Sequence, residues 1–370
     1  MRIPMLLLML AFCAIVEAQQ PAQPPAVRSP EVSADRRVTF RVRAPNASKV
    51  TVFCECLTSE PALTKGADGV WSVTVGPIEP DIYEYHFTVD SVDNLDQRNP
   101  VVKYNSRPNL IESVVEVPGP SPMFYDVKAV PHGIVSMRYY PSKATGGIRR
   151  AFVYTPPNYE RSNGRLPVLY LLHGADGDET VWTQFGRANL ILDNLIAEKK
   201  VAPMVIVMPF GYAYPWHAGA APEKQRADFE KDLTEDLIPF VQANYRVSTD
   251  REHRALAGLS MGGGQTLSIG PRHLDLFSRL AVFSSGAGQN PEQTLVAVGK
   301  NPKALNDRLR LLWMAVGTED GAMANAKRTS DYLNSVGVKH IYKTTPGAHT
   351  WIVWRKYLNE VAPLMFPAGT

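Results

Sequence analysis

The chain has 370 residues, of which 45% are hydrophobic and 20% charged, and its formal net charge is +3. That is room for about two domains in an ordinary globular protein, and it contains no basic block of the kind that marks nucleic-acid binding. Its eight histidines and three cysteines hold no HExxH-type pair and no cysteine metal pattern, so no metal or organic cofactor is implied.

In chain order, Arg2, the apolar run 5–16 and the small-x-small triplet Val16-Glu17-Ala18 read as a signal peptide over residues 1–18. The run is too short to anchor in a bilayer, so a secreted chain without a membrane partner is expected after cleavage, in the periplasm or outside the cell. Residues 19–30, rich in Pro, Gln and Ala, read as a linker. From 31 to 117 short alternating runs such as 38–42, 49–53, 71–75 and 83–89 are punctuated by Pro, Gly, Asp and Asn. That texture predicts an all-β, immunoglobulin-like sandwich. Alternation places Trp71, Tyr83 and Tyr85 in its core rather than on a sugar-stacking surface. Cys54 and Cys56 lie two apart in one of these runs, with an extended Cα separation of roughly 6.5–7 Å, the limit for a bridge. They read as two small half-buried side chains.

A second linker, 118–132, carries Pro118, Pro120, Pro122 and Pro131. From 133 to 370 the texture changes. Strand-like runs at 148–154, 166–172, 204–208, 253–257, 309–316 and 340–344 alternate with helical stretches such as 229–245. Apolar strands alternating with helices predict a mostly parallel sheet covered by helices on both faces, the α/β-hydrolase arrangement.

Gly258-Leu259-Ser260-Met261-Gly262 sits between one of these strands and a small-residue helix start, the setting of a G-x-S-x-G nucleophile elbow. Ser260 is the expected nucleophile. Glycine is needed two residues either side of it, because the strained turn that exposes the hydroxyl crowds those positions together. A serine hydroxyl needs a base. Downstream of Ser260 only His273, His340 and His349 remain. His349, in the loop after the last strand, occupies the base position, and Asp320 or its neighbour Glu319, after the preceding strand, the acid position. Asp320 is preferred. Backbone N–H groups of Met261 and Ala175 are expected to form the oxyanion hole. The aromatic loop 210–221, with Tyr212, Tyr214 and Trp216, reads either as a grip on an aromatic acyl group or as a surface loop.

The segment 250–265, together with Leu171-Leu172-His173-Gly174, Gly186-Arg187-Ala188-Asn189, 193–198, Gly317-Thr318-Glu319-Asp320, and Gly347 to His349 with Trp354, resembles the feruloyl esterase domains of the first carbohydrate esterase family. That is the esterase D-like branch of the α/β-hydrolases. The resemblance covers about 133–366 and implies the triad Ser260, Asp320 and His349, with Trp354 as a further candidate for substrate contact. Loop 210–221 departs from that pattern. Val38 to Ala47 with Gly69-Val70-Trp71 is similar to the early-set module of carbohydrate-binding module family 48. Together these imply release of a hydroxycinnamate such as ferulate from feruloylated or acetylated plant polysaccharide through an acyl-enzyme. The alternatives are an acetylxylan esterase, a siderophore esterase and a non-catalytic glycan-binding protein. Activity that needs a neutral imidazole should fall in acid.

Overall fold

A computed structural model describes residues 26–104, 111–119, 122–175, 177–215 and 218–369. The leader expected over 1–18 lies outside these residues, as do 19–25 of the first linker.

The N-terminal part is two facing antiparallel sheets. One has the order β1 (Glu31–Val32), β2 (Val38–Arg43), β5 (Val70–Val75) and β4 (Thr64–Lys65). The other runs β3 (Val50–Cys54), β6 (Asp81–Val89), β9 (Glu112–Val117) and β8 (Val102–Lys103), with β7 (Val92–Asn94) paired to β6. Period-2 alternation sends Val38 and Phe40 from one sheet, and Val50, Val52, Tyr85 and Phe87 from the other, into a shared core. Phe40 and Tyr85 meet there at 4.8 Å between ring centroids. Trp71, Tyr83 and Tyr85 are all buried, at 8%, 5% and 0% exposure, which is the core position that alternation predicts and which removes them as a sugar platform.

The cysteines correct the sequence reading, because Cys54 and Cys56 form a disulfide with their Cα atoms 5.1 Å apart. The strand does not continue through Cys56. It ends at Cys54, and a turn closed by Leu57 N–H donating to the Cys54 carbonyl at 2.9 Å shortens the separation below its extended value.

The C-terminal part is one eight-stranded sheet in the order β10 (Ile134–Ser142), β11 (Gly147–Thr155), β13 (Val205–Pro209), β12 (Val168–Leu172), β14 (Arg254–Leu259), β15 (Arg279–Phe283), β16 (Leu311–Gly317) and β17 (Ile341–Thr345). β10 and β11 pair antiparallel, as do β11 and β13, and every pairing from β13 to β17 is parallel. β12, β13 and β14 are buried at every residue, as strands covered on both faces must be. One apolar cluster lies on each face. The first packs the helices Ala188–Ala197 and Trp351–Met365, and the second the helix Met261–Ile269 and the helical run from Pro222 to Asn244. That run begins seven residues before the apolar period does, and it passes through a π-helical stretch, Asp232–Leu237. This is the α/β-hydrolase fold behind an N-terminal β sandwich.

The two parts share a core. Residues on the outer face of the sandwich, Ile82 of β6 and Val114 of β9, belong to the apolar cluster of the C-terminal helix. Arg355 of that helix is fully buried and ion-paired to Asp81 of β6. It also donates to the Phe185 carbonyl at 2.9 Å and to the Ile82 carbonyl at 3.3 Å. The described residues of linker 118–132 form no helix or strand, yet they are docked. Asn194 donates to the Phe124 and Asp126 carbonyls at 2.8 and 3.0 Å, and His132 and the Gly133 N–H both meet Asp193 at 2.9 Å.

Candidate active site

β14 delivers Ser260 to the C-terminal edge of the sheet. The serine takes φ 51° and ψ −115°, a conformation that L residues rarely hold, so the turn is over-determined by what surrounds it. Its N–H donates to the Phe283 carbonyl at 2.8 Å, and its carbonyl accepts from Gly264 N–H at 3.0 Å. A Cβ on Gly258 would stand 2.5 Å from the Gly262 carbonyl carbon, which is why the elbow has glycine at both ends.

His349 lies in the loop between β17 and the C-terminal helix. Its Nε2 is 3.0 Å from Ser260 Oγ, and its Nδ1 is 2.9 Å from Asp320 Oδ1. Asp320 is buried after β16, and its Oδ1 also accepts from Ala322 N–H at 2.7 Å. Burial works to raise this carboxyl. The His349 ring, the Ser284 hydroxyl and the Ala322 N–H more than offset it and hold the group below the ordinary carboxylate range. An ionised carboxylate there fixes the imidazole with its Nε2 free to accept a proton from the serine. Glu319, the alternative acid, does other work. Its carboxylate accepts from the Gly347 N–H and, at 2.7 Å, from the Thr318 hydroxyl, so it ties down the loop that carries the histidine.

The other expected residues are placed as follows. Met261 opens the helix Met261–Ile269, where the first N–H groups have no intrahelical acceptor. Ala175 lines the cleft beside Ser260 and accepts from the Tyr212 hydroxyl at 2.6 Å. Tyr212 therefore braces the loop from which the second oxyanion donor is expected. Trp354 stands edge-on to His349, at 5.0 Å between ring centroids, and donates its indole N–H to Ser284 Oγ at 2.9 Å. Tyr214 is not among the residues that line the clefts containing Ser260 or Met261. Its hydroxyl donates to Asp228 at 2.7 Å and its N–H to Gln225 at 3.0 Å, which draw it onto the helix Pro222–Lys231. Trp216 lies outside the described residues.

His173 has a part that motif reading does not reveal. It is fully buried between two backbone groups: Nδ1 meets the Gly174 carbonyl at 2.7 Å, and Nε2 accepts from the Gly211 N–H at 2.7 Å. Accepting at Nε2 leaves the proton on Nδ1, so the ring bridges the two loops as one neutral tautomer. Burial brings it down to about 4. The only signal in the sequence is the His-Gly pair at the end of an apolar strand.

Two clefts border the elbow. One, of about 550 Å³, is mainly apolar and is lined by Tyr212, Met261, Gln265, Gly286 and Ala287 among others. The other, of about 220 Å³, is lined by Ser260, His349 and Trp354 and also by Glu55, Glu84 and Lys103 of the β sandwich. A serine hydroxyl, a base on a buried carboxylate and a cleft on either side of the elbow sequence are equipment for nucleophilic acyl transfer.

Comparison with known proteins agrees with this chemistry. Residues 142–365 match the Esterase family, and the chain belongs to it. An endo-1,4-beta-xylanase/feruloyl esterase of Xylanibacter ruminicola is 32% identical over 354 residues, which is 94% of this chain. The chain spans 47% of that relative's length. A CE1 ferulic acid esterase from Anaeromyces mucronatus superposes with a TM-score of 0.56 at 25% identity, over 68% of this chain and 96% of that one. The enterobactin esterase of Shigella flexneri reaches a TM-score of 0.66 at 19% identity, over 89% of this chain and 92% of that one, a likeness of fold.

Proposed function

We propose that the chain is a secreted serine esterase that releases a hydroxycinnamate, such as ferulate, from plant cell-wall polysaccharide. The observation that carries this reading is the hydrogen-bonded line from Ser260 through His349 to Asp320, at 3.0 and 2.9 Å. Ser260 Oγ attacks the ester carbonyl while His349 Nε2 takes its proton. Met261 and Ala175 N–H groups hold the oxyanion, and Asp320 stabilises the imidazolium. The imidazolium then protonates the departing sugar oxygen, leaving an acyl-serine. Water, deprotonated by His349, repeats the attack and frees the acid.

The acyl assignment is supported by the apolar cleft beside Met261, which suits an aromatic ring, and by the similarity to enzymes named for ferulate. Secretion is supported by the leader-like residues 1–18 and by the Cys54–Cys56 disulfide, a feature of oxidising compartments. The sandwich is read as the early-set module that the sequence resembles.

The test is hydrolysis of methyl ferulate and of acetylated xylan by the wild type and by Ser260→Ala. Ferulate release should fall by about 10⁴ to 10⁶ in the variant. Acetate release without ferulate release would move the substrate to acetylxylan. Undiminished turnover by Ser260→Ala would end the mechanism.

A further inference from the structure

The N-terminal sandwich does more than cover the hydrolase. Its second sheet brings three ionisable side chains to the cleft that opens on Ser260. Glu55 sits in the turn spanned by the Cys54–Cys56 disulfide. Its N–H donates to the Glu84 carbonyl at 3.0 Å, and its Oε2 accepts from the Glu84 N–H at 3.0 Å, so both backbone and carboxyl are pinned to β6. The Glu84 carboxylate pairs with Lys103 Nζ at 2.5 Å, and that ammonium lies 5.7 Å from the centre of the Phe185 ring. The Glu84 and Lys103 side chains are each only 11% exposed.

Withdrawing three ionisable groups from water is costly, and attachment of the sandwich does not require it. Attachment is already provided by Arg355 with Asp81 and by the apolar contacts of Ile82 and Val114. What these groups supply is a set of hydrogen-bond donors and acceptors lining the same cleft as the nucleophile, a space of about 220 Å³. The two clefts at the elbow are thus chemically different. The apolar one suits an aromatic acyl group, and the polar one suits the alcohol that leaves.

We propose that Glu55, Glu84 and Lys103 bind the hydroxyls of a sugar in the alcohol half of the ester, making the β sandwich one wall of the substrate site. The inference rests on the reading of Ser260 as an esterase nucleophile. Two carboxyl groups and one ammonium favour a neutral polyol over an anionic substrate. Burial, reinforced by the neighbouring Glu84, pushes the Glu55 carboxyl up to about 7, so near neutrality it can donate as well as accept. The Trp354 edge in the same cleft adds an apolar surface of the kind that packs on sugar C–H groups.

The experiment compares kcat/KM for a feruloylated arabinoxylo-oligosaccharide with that for methyl ferulate, using the full chain. Glu55→Ala should lower the ratio of the two at least tenfold, with the loss in KM for the oligosaccharide. Glu55→Gln, which keeps size and hydrogen-bonding capacity, should recover part of it, and Lys103→Met should shift the ratio in the same direction as Glu55→Ala. Wild-type turnover of both esters with an unchanged ratio in Glu55→Ala and Lys103→Met overturns the sugar wall and leaves the esterase reading standing. Equal loss on both esters in every variant also overturns it, since that is damage to the fold or the elbow. A wild type inactive on every ester removes the reading of Ser260 itself.

Discussion

Acid should loosen the loops around the nucleophile through His173, and the size of the effect can be worked out. In the folded chain this ring is neutral and titrates at about 4, against an ordinary 6.5, because burial disfavours its charged form. Between those two values the unfolded chain binds the proton and the folded chain does not. Stability from this residue is therefore complete above the upper value and drains away as pH falls to the lower one, by about 3 kcal/mol in all. The replacement to make is His173→Leu. At pH 7 it strands the Gly211 N–H and the Gly174 carbonyl, each at a cost of about 1–3 kcal/mol. The variant is thus less stable than the wild type at pH 7, yet it loses less on acidification because the titrating group is gone. Thermal melting at pH 7 and pH 4 reads both effects. The wild-type drop between the two should exceed that of the variant by roughly 4 °C, since at about 2.1 cal/mol/K of unfolding entropy per residue a folding unit of this size shifts by about 1.4 °C per kcal/mol. Equal drops in the two proteins would refute the buried neutral bridge.

Three other perturbations test separate parts of the structure. Gly258→Ala sets a Cβ 2.5 Å from the Gly262 carbonyl carbon, so the elbow must open, and kcat should fall at least about 100-fold; near-normal turnover would mean that the turn is not strained. Asp320→Asn removes the charge that fixes the His349 ring and should lower kcat by about 10⁴, with Glu319→Gln far milder; the reverse order would exchange their roles. Asp81→Ala leaves the Arg355 guanidinium buried without its counter-charge and should cost about 3–5 kcal/mol in urea unfolding, whereas a cost under about 1 kcal/mol would show the pair to be dispensable.

Local patterns made the elbow and its surroundings readable. Gly258 and Gly262 are dictated by one steric contact four residues long, and β12 and β13 are unbroken apolar runs because both sheet faces are covered. β10 and β15 were not legible. β10 pairs through β11 only, is buried only near its end, at Tyr140 and Ser142, and contains Pro141, while β15 offers just four apolar residues, too few for periodicity to separate strand from helix. The Cys54–Cys56 bridge is hidden in the sequence, because an extended run would hold the pair apart whereas the chain turns after Cys54. Tyr212 and Tyr214 are neighbours in sequence, yet their hydroxyls bond to different elements, the Ala175 carbonyl and Asp228. The least legible feature is the meeting of Glu55 and Lys103 with Ser260. No local rule joins residues more than 150 positions apart, and only the docking of two sheets brings them to one cleft.

The shared core sets where this protein can be cut. Ile82 and Val114 lie on the sandwich but pack with the C-terminal helix, and Arg355 is held by partners from both parts. A break within residues 118–132 that let the fragments part would wet an apolar face on each and separate Arg355 from its counter-ion Asp81. Truncation to a minimal hydrolase would thus yield an insoluble or repacked product unless Arg355 and its neighbours were redesigned. In any exchange of modules, the inheritable block is the sandwich and the hydrolase together.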